Sequence, residues 1–187
     1  RVMVYRFHPD ESGEVVAEDK REDLPPFLGL RYPAADIPQQ ARDLFRRNRF
    51  RVIADMTAEE VPIEPALAAC GEPLDLSMSV LRAHSKMHLA YMRNMGVSAS
   101  LTIAIVRNDR LWGMISCHHG APLLPPFSLR TVAELFSQTF SLMLDRTLVR
   151  RADRLRDRAR DLHDQLMLEL AGGTSLAANL PLLEESI

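Results

Sequence analysis

Six histidines and two cysteines, with a few arginines and hydroxyls, are the side chains whose types and spacing bear on chemistry. His84 and His88 stand four apart in a stretch expected to be helical, and so on one face. Cys117-His118-His119 closes an expected strand. His and Cys are zinc ligands, but a strand sends His118 and His119 to opposite faces. No acidic residue between His84 and His88 completes a metalloprotease helix. Cys117 and His118 diverge as strand neighbours, so they lack the hydrogen bond of a nucleophilic pair. The glycines follow neither phosphate-loop nor dinucleotide spacing, and no enzyme signature remains.

A ligand pocket is the chemistry these residues support instead. Arg82, His84, Ser85, His88 and Tyr91 lie among apolar residues of one expected helix. Ser100 and Thr102 are two apart on the next strand, hence on one face, and His118 ends its partner strand. Arg51 sits in a short strand, where an inward guanidinium needs an anion. Together with Met3, Tyr5, Tyr32, Met87 and Met95, these residues describe apolar walls with a few convergent polar groups. That is a site for an elongated, partly anionic organic ligand.

The elements that must position them read as follows. Residues 2–7 alternate two faces, and Pro9–Gly13 forms a turn cluster before an extended run at 14–18, which predicts a hairpin. Asp36 before Ile37-Pro38 suits a helix N-cap, and Ala41, Leu44 and Phe45 carry helical spacing up to Asn48. Residues 50–54 form a short strand, 57–76 an irregular connection and 77–94 a helix that Gly96 terminates. Ser98–Val106 and Leu111–His118 flank Arg107-Asn108-Asp109-Arg110 as a second hairpin. Strands arriving as hairpins with helices beside them predict an α+β domain built on an antiparallel sheet.

From Ser128 no Pro or Gly interrupts the chain until Gly172, which predicts a helix of roughly 60 Å. Its first half carries apolar residues on several sides and should pack on the domain. Its second half narrows to Leu148, Ala152, Leu155, Ala159, Leu162 and Leu166, a heptad stripe suited to a partner helix. Arg and Asp flank this stripe as solvated pairs. The 187 residues carry a net charge of −2, which argues against a general nucleic-acid binder. No apolar run suffices to span a membrane. Two cysteines make no disulfide framework, so a reducing cytoplasm is expected. The opening Arg1-Val-Met-Val-Tyr-Arg-Phe7 reads as a strand within something longer.

Three blocks carry a resemblance. They are Pro33-Ala34-Ala35-Asp36-Ile37-Pro38, the run Val80-Leu81-Arg82 with Met87-His88-Leu89-Ala90-Tyr91-Met92-Arg93-Asn94-Met95-Gly96, and Leu111-Trp112-Gly113-Met114-Ile115-Ser116-Cys117-His118-His119. In these the sequence resembles the phytochromes, over residues 1 to about 170. Met87 stands where plant and many cyanobacterial members have Cys, so the likeness is to the bacteriophytochrome branch, whose members use biliverdin.

The resemblance implies a GAF domain at 1–127, a connecting helix at 128–171 and the beginning of a PHY domain at 172–187. It implies that Asp36, with its neighbour Ile37, faces the bilin pyrrole nitrogens and the signalling tongue. His88 would stand beside the pyrrole water. Arg51 and Arg82 would hold one propionate with Tyr5 and Ser85, and Ser100, Thr102 and His88 the other. His118 would bond the ring D carbonyl, with Tyr5, Tyr32, Tyr91 and Met95 shaping the space in which that ring turns.

It further implies red/far-red light sensing, an N-terminal PAS domain carrying the attachment Cys, a homodimer through the long helix, and an output domain such as a histidine kinase. Neither Cys70 nor Cys117 matches an attachment position. Ala35 and Phe45 stand where many relatives have Ser and Tyr. The rival functions are a GAF domain sensing a soluble ligand such as a cyclic nucleotide, and a purely structural dimerisation module.

Overall fold

The computed structural model of the chain describes residues 1–65, 67, 71–80 and 82–173. Residues 174–187 of the expected PHY start at 172–187, together with Cys70 and Leu81, lie outside the described residues. The elements run β1 (Val2–Phe7), β2 (Gly13–Asp19), β3 (Arg31–Tyr32), a 3-10 turn (Ala34–Asp36), α1 (Gln39–Arg47), β4 (Phe50–Ile53), α2 (Lys86–Asn94), β5 (Ala99–Arg107), β6 (Arg110–His119) and α3 (Phe127–Ala171). The strands form one sheet of order β3-β2-β1-β6-β5-β4, with every described pair antiparallel. This is the α+β architecture expected, with a two-residue edge strand, β3, that its length hid from periodicity.

Turn chemistry explains the β5–β6 hairpin. Asn108 and Asp109 both take positive φ, 48° and 55°, the left-handed pair that matches the twist of a tight hairpin. Arg46 on α1 adds an ion pair to Asp109 at 3.3 Å.

Register decides which side chains share a face, because directly opposed residues point the same way. Met3 pairs Ser116 and Tyr5 pairs Met114. Ser116 pairs Thr102, and His118 pairs Ser100. Arg51 pairs Thr102 and Ile53 pairs Ser100. One face of the sheet therefore carries Met3, Tyr5, Arg51, Ser100, Thr102, Ser116 and His118. Cys117 pairs Val2 and Leu101 and belongs to the other face.

Two apolar clusters flank the polar centre of the first face. Met3, Tyr5, Val15 and Met114 pack with Phe7, Phe27, Tyr32, Ile37, Phe45 and Leu111. Ile53, Met56, Met92 and Val97 pack with Leu89 and Met95, which joins α2 to the β4 end. Burying each such large side chain contributes about 1.5–3 kcal/mol. Ser137 of α3 is buried and donates to the Ala104 carbonyl at 2.8 Å.

Gly13 shows why a side chain is excluded at the start of β2. A Cβ there would overlap the Tyr5 ring. Gly13→Ala is expected to destabilise the domain by about 1–3 kcal/mol through overpacking, read by urea denaturation. An unchanged midpoint would show that the Tyr5 ring moves aside freely.

Two expectations are corrected here. Asp36 does not cap α1: it ends the 3-10 turn, and Pro38 is the N-cap with no side-chain bond. The helix expected over 77–94 is α2 alone, Lys86–Asn94. Before it, the Asp75 carboxylate accepts from the Ser77 N–H at 2.8 Å, and the Arg82 guanidinium donates to the Ser77 carbonyl. These side-chain bonds engage the local backbone in place of a helix. Arg82 and His84 thus lie outside the helix, and Ser85 is its N-cap. Gly96, at φ +72°, follows its end as expected.

The chain divides into two compact units, Arg1–Ser141 and Leu142–Ile187. In the second, Asp153–Arg156 and Asp157–Arg160 pair at 3.2 and 3.6 Å along the helix surface. Leu155 of the heptad stripe is exposed.

Candidate functional site

The polar centre is built from β4, β5, β6 and the segment leading into α2. Arg51 projects from β4, and its guanidinium lies 5.5 Å from the Phe45 ring centroid. Its Nε is buried with no hydrogen-bond partner among the described residues. Arg82 spends one nitrogen on the Ser77 carbonyl, and its second terminal nitrogen is buried and unpartnered. Burial pulls the Arg82 guanidinium below its ordinary range. A buried guanidinium nitrogen without an acceptor is costly, so both arginines are poised for an anion.

The hydroxyls and histidines lie next to them by register. Ser100 is buried and Thr102 half-buried. His118 Nε2 and the Ser116 hydroxyl share a hydrogen bond of 3.0 Å, and the opposite nitrogen, Nδ1, is buried without a partner. Burial, then the charge of Arg1, lowers the His118 pKa to about 4. The ring is therefore neutral at pH 7, able to offer Nδ1 to a ligand. His88 on α2 is exposed as a residue, and partial desolvation of its ring lowers its pKa. His84 shifts the same way, through burial and then His88 and Arg82. The two histidines are neighbours although only His88 is helical.

An aromatic group with one carboxylate stands at the β1 side. Tyr5 contacts Phe7 and Tyr32 at centroid distances of 5.3 and 5.8 Å. Burial, followed by the Asp36 charge, raises the Tyr5 phenol to about 12. Tyr91 of α2 rises to about 12 for the same reasons, and it is also hydrogen-bonded to Asp36. Burial also raises Tyr32. Three neutral phenols thus surround the exposed Asp36.

The structure brings most of the sequence-derived set together. Arg51, Ser100, Thr102, His118, Met3 and Tyr5 share the sheet face. Asp36, Tyr32 and Tyr91 gather at Tyr5, and Ile37 packs on the adjoining cluster. Met95 packs beside Ile53 and Met92, while Met87 is exposed. The side chain beneath Arg51 is Phe45, whereas Tyr5 belongs to the Asp36 group. Cys117, on the opposite face, has its thiol pushed up by burial. Among the described residues, no three of His, Cys, Asp and Glu group to hold a metal ion.

Two residues escaped the sequence reading. Ser116 completes the period-2 series Met114, Ser116, His118 and could have been found from it. Arg42, a buried cation on α1, has no sequence signal beyond its place between Ala41 and Leu44.

Residues 1–145 match the family model of the GAF domain. The chain belongs to the GAF domain family. This GAF domain is 51% identical over 147 residues to a bacteriophytochrome of Pseudomonas aeruginosa, across 78% of the chain and 20% of that protein. It is 49% identical over 139 residues to the phytochrome-like protein Cph1 of Synechocystis, across 74% of the chain and 19% of that protein. The chain thus spans about a fifth of the length of these relatives.

Among solved structures, the crystal structure of bacteriophytochrome RpBphP3 from R. palustris matches with a TM-score of 0.87 and 38% identity. It covers 99% of this chain and 37% of that one. The chromophore-binding domain of the same bacteriophytochrome gives 0.77 and 41%, over 81% and 50% of the two chains. The phytochrome resemblance therefore holds, and the GAF fold with a long C-terminal helix holds with it.

Proposed function

We propose that this GAF domain binds biliverdin on the polar face of its sheet and serves as the light-sensing segment of a bacteriophytochrome. The observation that carries the reading is the set of unpartnered buried nitrogens on Arg51, Arg82 and His118, on or beside one face. A bilin fits this donor set: it has two carboxylates for the arginines and hydroxyls, a terminal carbonyl for a neutral imidazole, and pyrrole N–H groups for an acceptor. When bound, it supplies light absorption and a bridge double bond that isomerises.

The chain's own residues would do the rest. Arg51 and Arg82 hold one carboxylate, since a guanidinium fork matches it bidentately. Ser100, Thr102 and His88 hold the other. Asp36, ringed by phenols, offers its carboxylate oxygens as acceptors beside the protonated pyrrole system. His118 holds the terminal carbonyl through Nδ1 while Ser116 fixes its ring. Tyr5, Tyr32 and Tyr91 bound the space in which the terminal ring turns, and Ile37, Met3 and Met95 pack around it.

In the same proposal residues 1–127 form the chromophore domain, 128–171 the connecting helix, and 172–187 the start of a PHY domain. PAS and output domains (a histidine kinase in many receptors) belong to the same protein, and the stripe around Leu155 pairs with a second copy. The receptor is cytoplasmic in the same proposal. No described helix is long and apolar enough to cross a membrane.

The test is to add biliverdin to the full-length protein and record red absorbance before and after illumination. The expected result is a red band that changes reversibly with light. Asp36→Ala is expected to retain uptake but to lose the protonated, red-absorbing form at lower pH than the parent. No colour, with thermal stabilisation by a cyclic nucleotide instead, would establish the soluble-ligand alternative.

A further inference from the structure

The segment from Pro33 to Pro38 belongs neither to the sheet nor to α1, and its two terminal prolines lack N–H donors. Within it, the Asp36 N–H donates to the Pro33 carbonyl at 3.1 Å. A further restraint on the segment's carbonyls comes from Arg42, a buried residue of α1. Its Nε donates to the Ile37 carbonyl at 2.7 Å. A terminal nitrogen donates to the Glu11 carbonyl at 2.6 Å and to the Ala34 carbonyl at 3.3 Å. The guanidinium lies 4.6 Å from the Phe7 ring centroid, which fixes its plane. Glu11 itself holds a positive φ of 65°, unusual for a residue with a side chain.

We propose that Arg42 is the positioning residue for Asp36: by clamping the carbonyls on both sides of it, Ala34 and Ile37, and tying them to the β1–β2 turn at Glu11, it fixes where Asp36 meets a bound bilin. The inference rests on the bilin reading. It adds the residue that holds the acceptor still. The charge of Asp36 is felt at Tyr5, Tyr32 and Tyr91, and the charge of Arg42 is felt at Tyr5. Three carbonyls in different directions need a fork, and a lysine ammonium in its place is a single point donor.

Positioning and simple charge predict opposite signs. If Arg42 aims Asp36, losing the clamp misaligns the acceptor and makes the bilin cation less stable. If Arg42 acts only as a nearby positive charge, removing it makes that cation more stable.

The experiment uses the full-length protein and the variants Arg42→Gln and Arg42→Lys, with two readouts. Without bilin, amide exchange at residues 34–37 is expected to quicken by about tenfold or more in both variants while β5 and β6 stay protected. With biliverdin, the pKa of the bound chromophore, followed by absorbance, is expected to fall by about one unit in Arg42→Gln and by less in Arg42→Lys.

Unchanged exchange at 34–37 overturns the proposal. So does a chromophore pKa that rises in Arg42→Gln and stays put in Arg42→Lys. If Arg42→Gln does not fold, Arg42→Lys, which keeps charge and length, carries both readouts alone. Failure of the unmutated protein to take up biliverdin is a different result: it overturns the bilin reading and the role assigned to Arg42 toward it.

Discussion

Replacing Arg51 and Arg82 together by methionine is expected to weaken biliverdin binding by at least about a hundredfold while leaving the ligand-free domain as stable as before, or more so. The two halves of this expectation have one cause. Each arginine carries a buried nitrogen with no acceptor among the described residues, so the empty site bears the desolvation of charges it does not compensate. Methionine fills similar space without that burden. A charge-assisted hydrogen bond contributes about 1.5–3 kcal/mol, and each 1.4 kcal/mol is a factor of ten in affinity. Two lost clamps therefore exceed a hundredfold even at the lower bound.

The single variants should each give roughly the square root of the loss. Titration with biliverdin followed by absorbance, alongside urea denaturation of the ligand-free protein, measures both halves. A double variant that binds normally would remove the arginines from the site. One that binds poorly because it unfolds would show that they hold the fold.

Why was this pair visible in the sequence while its surroundings were not? Arg51 was legible because an arginine inside a four-residue strand has few harmless places to go. Ser100 and Thr102 were legible because period 2 puts them together without knowledge of any neighbour. The β5–β6 hairpin announced itself through Asn108-Asp109, a purely local matter of backbone conformation.

What could not be read depends on contacts far apart in sequence. Residues 77–85 contain good helix formers and no Pro or Gly, yet Asp75 and Arg82 capture the backbone at Ser77 and delay the helix to Lys86. Arg42 is indistinguishable in sequence from the exposed Arg46 and Arg47 of the same helix. Only the fold reveals that three carbonyls converge on it. Asp36 looked like a cap because the residues after it are helical, but its partner is Tyr91, more than fifty residues on. Local chemistry placed the elements, and non-local pairing aimed their side chains.

The second large effect is a dependence of folding stability on pH that His118 sets. Its ordinary pKa of 6.5 falls to about 4 in the fold, through burial and then the Arg1 charge, with a smaller contribution from His88. Between those values the unfolded chain binds a proton that the folded domain refuses. Stability contributed by the neutral ring is thus fully present above about pH 6.5 and is lost as pH falls toward 4, with little further change below that. The slope from one such group is at most about 1.4 kcal/mol per pH unit. His118 is partly reached by solvent, so the whole loss is nearer about 2 kcal/mol than the full product of slope and interval. His84 and His88, lowered in the same direction by burial, add to the loss in the same window.

His118→Gln keeps a partner for Ser116 but cannot take up a proton. The difference in unfolding free energy between parent and variant should therefore shrink or reverse by about 2 kcal/mol between pH 7.5 and pH 4.5. Carboxylates that titrate lower cancel in that difference. Urea denaturation of both proteins at several pH values measures it. Curves that stay parallel throughout would mean that the folded ring protonates as readily as a free one, and the neutral imidazole assigned to the terminal carbonyl of the ligand would go with it.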